Sequence, residues 1–173
     1  LSGQGYHKGG VTPSISPSMD IQVSSNFERA LFDEYDRDAG AVAQLMDELG
    51  QGGFDVSQGA MQALQDTYRS GRASEEETSA TITDRRRTTG ELLCPHSAVG
   101  VKVADELRDP ATPMVTLATA HPAKFPDAVE AATGIRPPLP PRMADLFDRE
   151  ERFTRLPNDL DALKAHIKGN LLA

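Results

Sequence analysis

Apolar residues recur at helical spacing over most of this chain. Ser25-Asn26-Phe27-Glu28 reads as a capping box, and Phe27, Leu31, Phe32 and Tyr35 after it share one helical face. Asp38 predicts a second start, with Val42, Leu45, Met46 and Leu49 inward and Gly50, Gly52 and Gly53 as the stop. Ser57 predicts a third, with Met61, Leu64 and Tyr68 inward and Gly71 at its end. Ser74-Glu75-Glu76-Glu77 is another capping box. It opens a polar helix, Thr78 to Thr89, that ends at Gly90. Only Ala80 and Ile82 make its apolar face, which predicts a surface position. In residues 97–107, Val99, Val103 and Leu107 align, with some strand character from the β-branched side chains. Pro126 to Thr133, followed by Gly134, has the usual Pro-first, Gly-after order. Asn158 is placed to cap a last helix with Leu160, Leu163 and Ile167 on one face.

Strand signals are few. Residues 11–23, VTPSISPSMDIQV, alternate weakly around two prolines, which suits only a short or edge strand. Residues 113–119, PMVTLAT, are short, continuous and apolar, as in a strand buried on both faces of an α/β sheet. Such a strand needs neighbours for its backbone groups, and this sequence hardly supplies them. The chain also starts at Leu1, and LSGQGYHKGG reads as a helix end and a Gly-rich turn. Both observations lead us to expect a piece of a longer protein. Four prolines in IRPPLPPRM, 135–143, predict an extended segment.

Composition narrows the functions. The 173 residues are 38% hydrophobic and 25% charged, enough for one domain with a modest core or a piece of a larger one. The net charge of −8 argues against a general nucleic-acid or anionic-membrane binder. Arg85-Arg86-Arg87 reads as a solvated helix face. One cysteine, Cys94, leaves no disulfide framework and fits a reducing, cytoplasmic setting. No stretch is long and apolar enough to span a bilayer. Cys94 and His96 have no second ligand pair, so no metal is expected. Gly3-Gln4-Gly5-Tyr6-His7-Lys8 opens like a dinucleotide fingerprint but has Lys8 at its third glycine.

Four polar clusters stand at element ends: residues 14–20, 24–29, 95–98 and 119–124. Serines before helices usually cap them, a lone His is usually structural, and Lys124 can simply be solvated. Thr119, however, ends the strongest strand, and ligands in α/β sheets sit outside the carboxyl ends of strands. A neutral hydroxyl there can bond a ring nitrogen without imposing a proton on it. Ser25, Asn26 and Arg29 at a helix start suit an anion.

SPSMDIQVSSNFER (16–29), PHSAVG (95–100) and TAHPAKF (119–125), in this order, resemble the C-terminal part of threonine synthase, and the likeness runs on through FDREERFTRLPNDLDALKAHI. The resemblance implies a helix-rich C-terminal fragment of an α/β, fold type II pyridoxal-phosphate enzyme, with few strands of its own and a helical insertion. It divides the chain into the end of the cofactor domain at 1–29, the insertion at 30–107, a returning strand and helix at 108–134, and a Pro-rich segment with a C-terminal helix at 135–173. The reaction implied turns O-phospho-L-homoserine and water into L-threonine and phosphate by β,γ-elimination and replacement. Thr119 then faces the pyridine nitrogen. Ser25, Asn26, Arg29, His96 and Lys124 are substrate-side candidates, although Arg29 can equally serve in a structural ion pair. Ser97 stands where relatives often have Thr, which keeps the hydroxyl. Lys8, Lys102, Lys124, Lys164 and Lys168 do not sit in the motif of the Schiff-base lysine, so no catalytic residue is assigned and this chain alone is expected to be inactive. The missing N-terminal portion is its expected partner. The competing reading is a non-catalytic helical interaction domain whose clusters are only caps.

Overall fold

The helices begin where side chains satisfy their first N–H groups. The computed structural model describes Gly3 and residues 5–171. In it, α1 is Phe27–Glu34, α2 Ala39–Gln51, α3 Gln58–Thr67, α4 Glu75–Thr89, α5 Pro95–Leu107, α6 Pro126–Thr133 and α7 Leu160–Leu171. The Asp38 carboxylate accepts from the N–H groups of Gly40 and Ala41 at 2.8 and 3.1 Å. Ser57 Oγ accepts from Ala60 at 3.2 Å. The capping box of α4 closes in both directions, Glu77 N–H to Ser74 Oγ at 3.2 Å and Ser74 N–H to Glu77 Oε2 at 2.7 Å. Gly90 and Gly134 end α4 and α6 at φ 80° and 71°, where a Cβ would be strained.

Several expectations are corrected. The box at Ser25 does not form. Asn26 occupies the cap of α1 without a side-chain bond, because the chain enters through a turn in which the Ser24 carbonyl accepts the Phe27 N–H at 3.0 Å. α2 runs through Gly50 and stops at Gly52. Tyr68 caps the end of α3 and is 46% exposed rather than inward. The start of α7 is capped by Asp159, whose Oδ1 accepts from Ala162 at 2.7 Å, and not by Asn158. The opening is not a helix end: β1, Gly5–His7, pairs antiparallel with β2, Gly53–Asp55, and Tyr6 lies opposite Phe54. Leu1, Ser2 and Gln4 fall outside the described residues. α4 keeps most of its residues exposed, as expected, but its buried side is Thr78 and Ile82 rather than Ala80 and Ile82. Ile82 and Thr78 are fully buried, since α4 packs between α5 and α6 and Thr83 Oγ1 donates to the Ala132 carbonyl at 2.7 Å. Arg85 reaches across to Asp105 on α5, and on the exposed side Arg87 pairs with Asp84.

Two apolar clusters organise the unit Leu1–Pro138. The first joins Leu31, Leu45, Leu49, Phe54, Val56, Ala60, Met61 and Leu64 from α1, α2, β2 and α3. Tyr6 closes it edge-on to Phe27 and Phe54, with ring centroids 5.8 and 5.6 Å away. The second is small: Ile82, Ala98 and Val129, from α4, α5 and α6, with Leu92, Leu93 and Ala132 against it. Lys102 of α5 fastens that helix to α4 by bonding Glu77 at 3.2 Å, and braces its own helix through Glu106 at 2.9 Å.

Residues 113–119 run extended, but no strand is assigned and they are not buried. Among the described residues only β1 and β2 form a ladder, so this segment has no strand partner. Met114, Val115 and Leu117 are 52%, 80% and 78% exposed. A second unit, Leu139–Ala173, holds two 3₁₀ turns, Pro141–Met143 and Leu146–Asp148, before α7. No described helix is long and apolar enough to cross a membrane.

Candidate functional site

Three of the four polar clusters meet at the start of α5. Cys94 is the cap of that helix, its sulfur accepting the Ser97 N–H at 3.4 Å. Pro95 suits the next position, where no N–H is needed. Ser97, 3% exposed, projects toward the end of the extended segment. Its Oγ accepts the Thr119 N–H at 3.0 Å and lies 3.3 Å from Thr119 Oγ1 and 3.2 Å from Cys94 Sγ. A buried thiol, a buried hydroxyl and the exposed residue Thr119 thus form one chain of contacts from the interior outward.

His96 lies beside it, 5% exposed. The loop 14–20 is held closed by the Asp20 carboxylate, which accepts from the Ser14 N–H at 2.7 Å and the Ser14 hydroxyl at 2.8 Å. That leaves the Ser18 N–H directed at His96 Nε2, 3.0 Å away. Accepting there puts the imidazole proton on Nδ1, which has no partner among the described residues. Burial holds His96 below its ordinary value of 6.5, the Lys124 charge adds to this, and Asp20 opposes it. The ring is therefore neutral at neutral pH. Phe125 packs on it at 4.4 Å between centroids, and Lys124 Nζ sits 5.7 Å from the centre of the Phe125 ring. Lys124 ends the short turn Pro122–Lys124, which is capped by His121 Nδ1 accepting from Ala123 at 3.2 Å.

Ser25, Asn26 and Arg29 are elsewhere. They line a groove with Phe32, Ala39 and two carboxylates, Glu28 and Asp33, that shares no lining residue with the group around Thr119. Asn26 and Arg29 also border a cavity of about 640 Å³ walled by Tyr6, Phe27, Val56 and Met61. Arg29 and Lys124 have no carboxylate within ion-pair distance among the described residues, so both cations are available to an anion. The structure thus brings Thr119, His96 and Lys124 to one region and leaves Ser25, Asn26 and Arg29 in another.

Sequence reasoning missed Cys94 and Phe125 as part of this arrangement. A cysteine is a poor cap by type, so nothing in the pattern marks it. Ser97 was legible as a hydroxyl within PHSA, but its contact spans 22 positions of sequence.

Among the described residues, Thr119, Ser97 and Cys94 bond no carboxylate. They stand at the positive N-terminal end of a 13-residue helix. Neutral donors and a positive field fit an aromatic ring nitrogen carried without a proton, the pyridine nitrogen of pyridoxal phosphate included.

The chain is similar to known proteins over most of its length. Residues 97–167 match the family model described as threonine synthase, C-terminal. The threonine synthase of Pseudomonas aeruginosa is 49% identical over 170 residues, 96% of this chain and 36% of the relative. That of Corynebacterium glutamicum is 41% identical over 157 residues, 88% of this chain and 33% of the relative. Among solved structures, the PLP-bound threonine synthase of Brucella melitensis is 49% identical, with a TM-score of 0.86 over 98% of this chain and 37% of that one. Yeast threonine synthase gives 29% and 0.81 over 99% of this chain and 39% of that one. The chain thus spans about a third of the length of the relatives it matches.

Proposed function

We propose that this chain, which has the sequence and fold of the C-terminal part of threonine synthases, supplies one wall of an active site that makes L-threonine and phosphate from O-phospho-L-homoserine and water. The observation that carries the reading is the Thr119 hydroxyl, exposed at the end of an extended segment and backed by Ser97 and Cys94 at a helix N-terminus. Pyridoxal phosphate, when bound, supplies an electron sink for proton loss from the substrate and expulsion of its phosphate. Thr119 donates to the ring nitrogen and fixes the ring's edge. The neutral chain behind it adds no proton.

The remaining candidates divide by charge. Lys124, with no ion-pair partner among the described residues and beside neutral His96, suits the substrate's phosphate or carboxylate. His96 orients the neighbourhood by fixing the loop 14–20 and Phe125. Arg29, with Ser25 and Asn26, offers a second anion-binding wall. In this reading residues 30–107 are a helical insertion, and 108–134 return to the cofactor domain. The exposed run Met114, Val115 and Leu117 becomes a sheet strand covered by the N-terminal portion of the enzyme. No lysine here lies in the Schiff-base motif, so these 173 residues alone do not turn over substrate. A single buried Cys94 supports a cytoplasmic setting.

The test is Thr119→Val in the full-length enzyme. Turnover should fall sharply, with the fold retained by circular dichroism and the cofactor's absorption band altered. Normal turnover together with an unchanged cofactor spectrum would sink the assignment.

A further inference from the structure

The contacts around Ser97 decide which way the Thr119 hydroxyl points. Three groups, Cys94 Sγ, Ser97 Oγ and Thr119 Oγ1, each carry one rotatable hydrogen. Their separations are 3.2 Å from Sγ to Ser97 Oγ, 3.3 Å from Ser97 Oγ to Thr119 Oγ1, and 3.9 Å from Sγ to Thr119 Oγ1. Two backbone donors are already assigned. The Thr119 N–H uses one lone pair of Ser97 Oγ, and the Ser97 N–H uses the Cys94 sulfur.

The Ser97 hydrogen has two possible acceptors. Sulfur is the weaker one and is already engaged, so the hydroxyl donates to Thr119 Oγ1. The second lone pair of Ser97 Oγ then takes the weak Cys94 S–H. That fills Ser97 Oγ, and the sulfur lies too far from Thr119 to serve as a good acceptor. The Thr119 hydrogen is left with no acceptor inside the cluster and points outward from an exposed residue. With its two buried members, Cys94 and Ser97, satisfied, the chain holds one arrangement, because any reversal moves a donor from oxygen to sulfur.

We infer that Ser97, supported by Cys94, is a positioning residue that makes Thr119 a hydrogen-bond donor and so selects an unprotonated ring nitrogen opposite it. This rests on the reading that Thr119 faces the cofactor's pyridine nitrogen. Ser97 touches neither cofactor nor substrate. Its backbone partner and its hydroxyl partner are both on Thr119, so it sets where that residue stands and which of its atoms faces out.

The experiment uses the resting full-length holoenzyme reconstituted with pyridoxal phosphate labelled with ¹⁵N in the ring, so that no turnover enters the readout. Thr119→Val should move the ring resonance downfield, toward a pyridine without a hydrogen bond. Ser97→Ala should move it the same way by a smaller amount. Ser97→Thr, which keeps the hydroxyl, should restore the native position. If Ser97→Ala does not fold, Ser97→Cys keeps the shape with a weaker donor and should give a partial downfield shift. A resonance that stays in place with Ser97→Ala or Ser97→Cys, while Thr119→Val moves it, overturns the role of Ser97. A resonance unmoved by Thr119→Val overturns the underlying reading of Thr119 instead.

Discussion

The cluster built by α1, α2, β2 and α3 and the junction between α5 and residues 113–125 are held together by opposite means. The first is apolar and closed, with Leu31 and Leu64 fully buried and aromatic rings sealing one end. The second buries a thiol, a hydroxyl and an imidazole behind a small apolar contact, while its flanking run Met114, Val115 and Leu117 stands open. The first spends its side chains on packing. The second uses polar groups whose satisfaction fixes one geometry, as the proposed aiming of the Thr119 hydroxyl requires.

The contrast gives its largest test in a pair of substitutions. Leu64→Ala should cost about 2–5 kcal/mol of stability, the range for truncating a fully buried leucine. Val115→Asp, at a residue 80% exposed here, should be nearly silent if that surface stays open. In the full-length enzyme it should instead cost at least as much as Leu64→Ala, because a carboxylate would be buried within a sheet. Chemical denaturation of both full-length variants decides the matter. A harmless Val115→Asp would mean that nothing covers this run.

A smaller effect separates the two regions by pH. His96 is held below its ordinary value of 6.5, first by burial and then by Lys124. Above about pH 6.5 the ring is neutral in both folded and unfolded chains and contributes no pH dependence. Below that, the unfolded chain takes up a proton that the folded one resists, so stability falls by at most about 1.4 kcal/mol per pH unit. His96→Gln should flatten this part of the stability profile between pH 6.5 and 5. Identical slopes in the two proteins would show that His96 is not buried neutral.

What was legible in the sequence follows the same division. The apolar region announced itself, because periodicity and caps such as Asp38, Ser57 and Ser74 act within a few residues of one another. β1 and β2 were missed because three-residue strands carry no alternation to read, and their pairing joins Tyr6 to Phe54 across the chain. The burial of Thr78 was missed because its hydroxyl is satisfied by the Ser74 carbonyl at 2.7 Å, which lets a polar residue face inward. In the junction the residue types were visible, but local pattern said nothing of Ser97 meeting Thr119 or Ser18 meeting His96. The resemblance of three motifs to one family singled out Thr119, and only the fold revealed what stands behind it.

The smallest effect concerns Ser25, which the sequence offered both as a helix cap and as a substrate-side group. Asp38→Ala removes a cap that accepts two N–H bonds and should cost about 1 kcal/mol. Ser25→Ala removes no side-chain cap, since α1 begins on the Ser24 carbonyl, and should change stability by less than about 0.5 kcal/mol. On the proposal that its groove with Asn26 and Arg29 takes an anion, it matters only when that anion is bound. Ser25→Ala in the full-length enzyme should therefore leave the unfolding midpoint in place and raise KM. A loss of stability comparable to that of Asp38→Ala, with KM unchanged, would return Ser25 to the role of a cap.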